Sequence, residues 1–142
     1  MSTYEVAKRL VELCKAGEHR KAIEELYADD ATAYEAVQGP MDSREMSGKA
    51  ALLKGSDQFF EMNEVHGGEV DGPYPCDDKF ICFMSIDLTP KAGPMEGQRF
   101  QMSEACLYTV KDGKIARSEF FYHVPEGTPT DCTGEMATHA KG

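Results

Sequence analysis

The 142-residue chain has no tryptophan and sets only 15 lysines and arginines against 25 acidic residues, for a formal charge of -10. Phosphate backbones and anionic bilayers are held by clustered basic side chains, so nucleic acid and membrane surfaces are not expected partners. No stretch approaches the ~18 apolar residues a membrane span needs, and Glu5, Lys8 and Arg9 interrupt the place of a signal peptide's apolar core. The expected location is cytoplasmic. Five cysteines form no CxxC pair, and His19, His66, His123 and His139 show neither HxxxH spacing nor a neighbouring cysteine. No metal is expected, and without a Walker or dinucleotide-binding glycine pattern no cofactor is expected either. An odd number of cysteines suits thiols acting as small buried hydrophobes in a reducing compartment.

What remains is the composition of one ordinary folded domain, 41% hydrophobic with seven Phe and six Tyr. Val6, Leu10, Leu13 and Cys14 recur at helical spacing between Thr3 and Gly17 and predict a first helix. Ala22, Ile23, Leu26 and Tyr27 predict a second, stopped by Asp29-Asp30, with a strand from about Ala31. Gly39-Pro40 marks a loop over 38–44, and Ser47 is the expected N-cap of a third helix carrying Leu52, Leu53, Phe59, Phe60 and Met62. Extended segments follow at about 69–70, 79–88, 100–110 and 114–124, the last two joined through Lys111-Asp112-Gly113-Lys114. Helices first and strands after imply an α+β domain over 1–124 with a Pro-, Gly- and Thr-rich tail over 125–142, flexible or packed on a partner.

Strand alternation nominates the candidate site. Phe100, Met102, Glu104, Cys106, Tyr108 and Val110 share one parity, so Glu104 is an acid in an apolar row and needs a partner or a proton. Ser118, Phe120 and Tyr122 share the inward parity of the last strand, whereas Asp87, Arg99 and Arg117 fall on the outward one. Glu35 follows Tyr34 a few residues into the first strand, either as a proton acceptor at a cavity mouth or as a solvated residue after an acidic turn.

Tyr27-Ala28-Asp29-Asp30-Ala31-Thr32 before an acid-bearing strand, Ser47-Gly48-Lys49-Ala50-Ala51 before a helix, and the Asp112-Gly113-Lys114-Ile115 turn resemble one known group. It is the SnoaL-like and ketosteroid isomerase-like branch of the nuclear transport factor two-like superfamily. The resemblance implies a cone-shaped α+β barrel of cystatin-like type, in which three N-terminal helices wrap a strongly curved, mostly antiparallel sheet around an apolar cavity. It also implies a homodimer through the outer sheet face and a small hydrophobic ligand. Glu35 falls where isomerases of this branch carry their catalytic base, and Glu104 lies near their oxyanion-binding acid. The turn before Gly113 is one residue longer than the family pattern, so either a bulge restores that register or Glu104 pairs with a surface lysine. Leu10 stands where those isomerases place an oxyanion tyrosine, which argues against steroid isomerisation and leaves Tyr122 as the replacement donor. The catalytic expectation is therefore Glu35, Glu104 and Tyr122, with Tyr34, Phe60, His66, Met84, Met102, Phe120 and His123 as ligand contacts. The rival expectation is a non-catalytic binding or dimerisation module whose interior is filled by Met and Phe.

Overall fold

The computed structural model describes residues 1–36 and 43–123. Its first element, α1 (Thr3–Lys15), is opened by a capping box: the Ser2 hydroxyl accepts the Glu5 N–H at 3.1 Å and the Glu5 carboxylate accepts the Ser2 N–H at 2.9 Å. Gly17, with φ +76°, ends the segment and allows the sharp turn into α2 (His19–Leu26). Strand β1 (Tyr27–Tyr34) follows immediately, so Tyr27 begins a strand rather than closing the helix as the spacing suggested.

Ser47 also departs from expectation. It belongs to a short strand, β2 (Glu45–Ser47), antiparallel to β1, and the N-cap of α3 (Lys49–Met62) is Gly48 at φ +93°. The loop expected over 38–44 and the tail over 125–142 fall largely or wholly outside the described residues.

Strands β3 (Asn63–Cys76), β4 (Lys79–Pro90), β5 (Phe100–Lys111) and β6 (Lys114–Tyr122) form an antiparallel meander, and β1 joins β6 in parallel. The order β2-β1-β6-β5-β4-β3 leaves β2 and β3 as separate edges, so the curved sheet does not close on itself. At 14 residues β3 is far longer than the two positions read from the sequence. Gly67, Gly68, Gly72, Pro73 and Pro75 hide its periodicity, and register shifts after Val65 and Asp71 absorb them.

Helix α1 packs on β3 and β4, and α3 lies across β1, β2 and β3. Val6, Ala7, Leu10 and Leu13 of α1 meet Phe80, Cys82, Cys106, Tyr108 and Ile115 in one core, in which Phe80 stacks on Tyr108 with ring centroids 4.8 Å apart. Leu10 is buried here. Burial pushes the Cys14 and Cys82 thiols up to about 12, so they are neutral core residues, as expected.

Candidate functional site

One rung of the sheet carries the chemistry. Val70 of β3 pairs with Met84 of β4, Met84 with Glu104 of β5, and Glu104 with Tyr122 of β6. A shift between Thr109 and Val110 sets this last pairing: Val110 faces Ile115 while Thr109 faces Arg117, so Ala116 is the extra residue. This bulge restores the inward parity of Ser118, Phe120 and Tyr122 after the longer turn.

Glu35 approaches that rung from the position just after β1, where the β1–β6 register continues toward Phe120 and the side chain reaches Tyr122. Ala31 and Ala33 face the core, and two positions further the Glu35 side chain faces the same way. Its backbone is pinned to the segment leading into β2: the Glu35 N–H donates to the Arg44 carbonyl at 2.9 Å, and the Arg44 guanidinium returns a bond to the Glu35 carbonyl at 3.1 Å. The Tyr122 hydroxyl then donates to the Glu35 carboxylate at 3.3 Å. Tyr122 thus stands between two acids.

Burial pushes the Glu35 carboxyl above its ordinary value, and the hydrogen bond from Tyr122 opposes that rise. Burial and then the Glu35 charge push Glu104 further, up to about 7, with the Cys106 side chain pulling weakly the other way. Both carboxyls are thus held above their ordinary value, Glu104 by burial and by the neighbouring Glu35 charge, and only Glu35 has the Tyr122 hydrogen bond opposing the rise.

Above the rung lies an open cavity of about 880 Å³ with Val70, Met84, Glu104 and Tyr122 in its floor, Lys15 at the end of α1 and His123 at the rim. Residues of the opposite parity also border it, the apolar Phe83, Ala105 and Phe121 and the polar Glu69, Asp71, Ser85 and Ser103. A smaller cavity of about 320 Å³ continues toward the helices and is bounded by Cys14, His19, Phe60, Val65, Gly68 and Ile86. Gly68 must be glycine there, because a Cβ would lie 2.4 Å from the Ser85 carbonyl oxygen. Among the described residues no cluster of His, Cys, Asp and Glu is placed to hold a metal, and no helix is long and apolar enough to cross a membrane.

A family model for the SnoaL-like domain matches residues 1–122. The chain belongs to the SnoaL-like family. No curated protein matches it. A crystal structure from Mesorhizobium loti shares 45% identity with it at a TM-score of 0.80, covering 86% of this chain and all of the other. That protein's name assigns it provisionally as a SnoaL-like polyketide cyclase, with carbohydrate phosphatase in brackets. A cystatin-like protein of unknown function from Xanthomonas campestris is 16% identical with a TM-score of 0.68, covering 96% of this chain and 97% of its own. An NTF2-like protein from Burkholderia thailandensis is 14% identical at a TM-score of 0.72, covering 100% and 98%. The last two attest the fold alone.

Within this SnoaL-like chain the expected site residues separate into three groups. Glu104, Tyr122, Met84 and His123 line the larger cavity, with Glu35 one hydrogen bond behind Tyr122 rather than in the cavity lining itself. Phe60 lines the smaller cavity, and Phe120 packs edge-on against Tyr108 within the core. Tyr34, His66 and Met102 line neither cavity. Tyr34 sits on the outward parity of β1 against the guanidinium groups of Arg44 and Arg117. His66 is exposed at the β3 bulge, bonded to the Thr89 hydroxyl at 2.8 Å, and Met102 stays inward beside Ile86. The outward readings hold for Asp87, bonded to Arg99 at 2.7 Å, and for Arg117, bonded to Glu45 at 2.6 Å. His19 and Lys15 were not singled out from the sequence. Both depend on where α1 ends over the sheet, which no local pattern specifies.

Proposed function

We propose that this SnoaL-like domain binds a small apolar carbonyl compound in the larger cavity and moves a proton on the carbon beside the carbonyl. The Met84–Glu104–Tyr122 rung, with Glu35 bonded to Tyr122, carries the reading, since it puts a carboxyl of raised proton affinity in the cavity lining and a second carboxyl one hydrogen bond behind it. Pairs of titratable groups held apart in affinity for a proton assign the acid and the base.

Glu35, whose raised proton affinity the Tyr122 hydrogen bond opposes, is the acceptor: the C–H bond breaks, its electron pair moves into the enolate, and the proton passes to Glu35. Glu104 donates a hydrogen bond to the developing oxyanion, and Tyr122 holds Glu35 in place while screening the two acids from each other. Return of the proton to a different carbon completes an isomerisation. Attack of the enolate on a second carbonyl completes a cyclisation.

The outer face supports a homodimer as the working form. Phe83 and Phe121 flank Ala105 on adjacent strands and are each 50% exposed, with Tyr74 and Ile81 extending the apolar area.

The test is deuterium incorporation next to the carbonyl of 2-tetralone in D2O, followed by proton NMR. Wild type accelerates exchange over buffer, and Glu35→Gln lowers that rate by about 100-fold or more with an unchanged circular dichroism spectrum. Equal exchange by Glu35→Gln and wild type refutes Glu35 as the acceptor, and no exchange by either refutes proton transfer.

A further inference from the structure

Lys15 is a cavity residue that neither the proton-transfer chemistry nor the core packing employs. It ends α1, is exposed, and borders both the larger and the smaller cavity, together with Gly68, Val70 and Met84. No acid among the described residues forms an ion pair or hydrogen bond with it. Six other basic side chains among the described residues pair with acids: Arg9 with Glu25, Arg20 with Asp57, Lys49 with Asp29, Lys79 with Asp78, Arg99 with Asp87 and Arg117 with Glu45.

Two acids of β3 share this lining, Glu69 at both cavities and Asp71 at the larger one, but their strand parity is opposite to that of Val70, and the Asp71 carboxylate accepts the Tyr74 hydroxyl at 2.8 Å. A cation at a helix C-terminus is favoured by the helix dipole alone, but that explanation does not require it to overhang the junction of two cavities. The chain's formal charge of -10 repels anions at long range, yet screening limits the repulsion to about 8 Å at physiological ionic strength.

We propose that Lys15 anchors an anionic group of the ligand and that the ligand is an apolar keto acid. Its carbonyl lies against Glu104 and Tyr122, its carboxylate against the Lys15 ammonium, and its apolar end enters the smaller cavity beneath Phe60 and His19. His19 stays compatible with that apolar end, because burial lowers its proton affinity and keeps the ring neutral near pH 7. The assignment names the substrate class of the site proposed above and rests on that reading of the cavity as a ligand site, though not on catalysis.

Two naphthalene probes with the same rings test it, neutral N-phenyl-1-naphthylamine and the anionic 1-anilinonaphthalene-8-sulfonate, titrated by fluorescence against the full chain. Wild type binds the sulfonate more tightly than the neutral amine. Lys15→Met weakens the sulfonate by about fivefold, the range of a partly exposed ion pair, and leaves the amine unchanged. Lys15→Arg keeps the preference, and raising the salt erodes it in wild type but not in Lys15→Met. Binding of the amine with no preference for the sulfonate, or a preference that survives Lys15→Met, overturns the anchor while leaving the cavity reading intact. Binding of neither probe overturns both.

Discussion

Replacing Glu104 by Gln tests the electrostatics of the site through stability, independently of any substrate. In the folded protein the carboxyl is pushed from an ordinary 4.5 to about 7, first by burial and then by Glu35. Between those two values the native state binds more protons at this position than the unfolded chain, so the wild type loses stability as pH rises from about 4.5 to about 7. Below that window the group is neutral in both states and costs nothing extra. Above it the protein holds a buried carboxylate beside a second one. At about 1.4 kcal/mol per pKa unit the full penalty is at most about 3.5 kcal/mol, and partial solvation of the cavity floor lowers it to about 2 kcal/mol. Glutamine keeps the shape and hydrogen-bonding capacity of the protonated acid without ionising. Urea unfolding at a series of pH values therefore gives Glu104→Gln and wild type similar stability at pH 4, with the variant about 2 kcal/mol more stable at pH 8. For a domain of this size that is about 6 °C in Tm. Every other acid away from the site contributes equally to both proteins, so the difference reports Glu104 together with its repulsion of Glu35. A difference that stays flat from pH 4 to pH 8 would refute the claim that Glu104 is held protonated by its surroundings.

Tyr122→Phe removes the hydrogen bond that opposes the upward push on Glu35, so the Glu35 carboxyl rises further, which carboxyl-carbon NMR titration reads directly, and 2-tetralone exchange falls by about 100-fold. Wild-type exchange declines as pH passes above about 7, because Glu104 then loses the proton it donates, and Glu104→Gln loses that limb of the pH profile. Gly68→Ala drives a Cβ to 2.4 Å from the Ser85 carbonyl oxygen on the paired strand, and chemical denaturation shows it destabilised by about 2 kcal/mol. Phe83→Asp together with Phe121→Asp charges the apolar outer face, and sedimentation shows a monomer with an unchanged circular dichroism spectrum; a dimer that persists places the interface elsewhere.

The first helix, the hairpin at Asp112-Gly113 and the order of helices before strands were legible because capping, 3.6-residue periodicity and turn chemistry are local. So was the parity of Glu104, Tyr122 and Cys106, since side chains alternate along a strand whatever it pairs with. Strand β3 was not legible, because its glycines and prolines erase the alternation that the neighbouring β4 imposes through pairing. Ser47 was misread for a related reason: a good capping residue became a strand residue when β1 offered its free edge.

Tyr34 and Glu35 mark the division between what the chain specifies by itself and what the tertiary structure adds. Neighbours in sequence, they face opposite sides of the sheet, and alternation alone determines that one of them is inward. Which one is inward, and what it meets, depends on the register of β1 against β6 and on the bulge at Ala116 that brings Tyr122 to the same rung as Glu104. Amino-acid sequence thus determined the family, the acidic candidates and the parity of Glu104 within its apolar row. Only the folded sheet decided that Tyr122 and Glu104 share a rung at a cavity bordered by Lys15, with Glu35 bonded behind Tyr122, because register joins strands far apart in the chain and no local pattern carries that information.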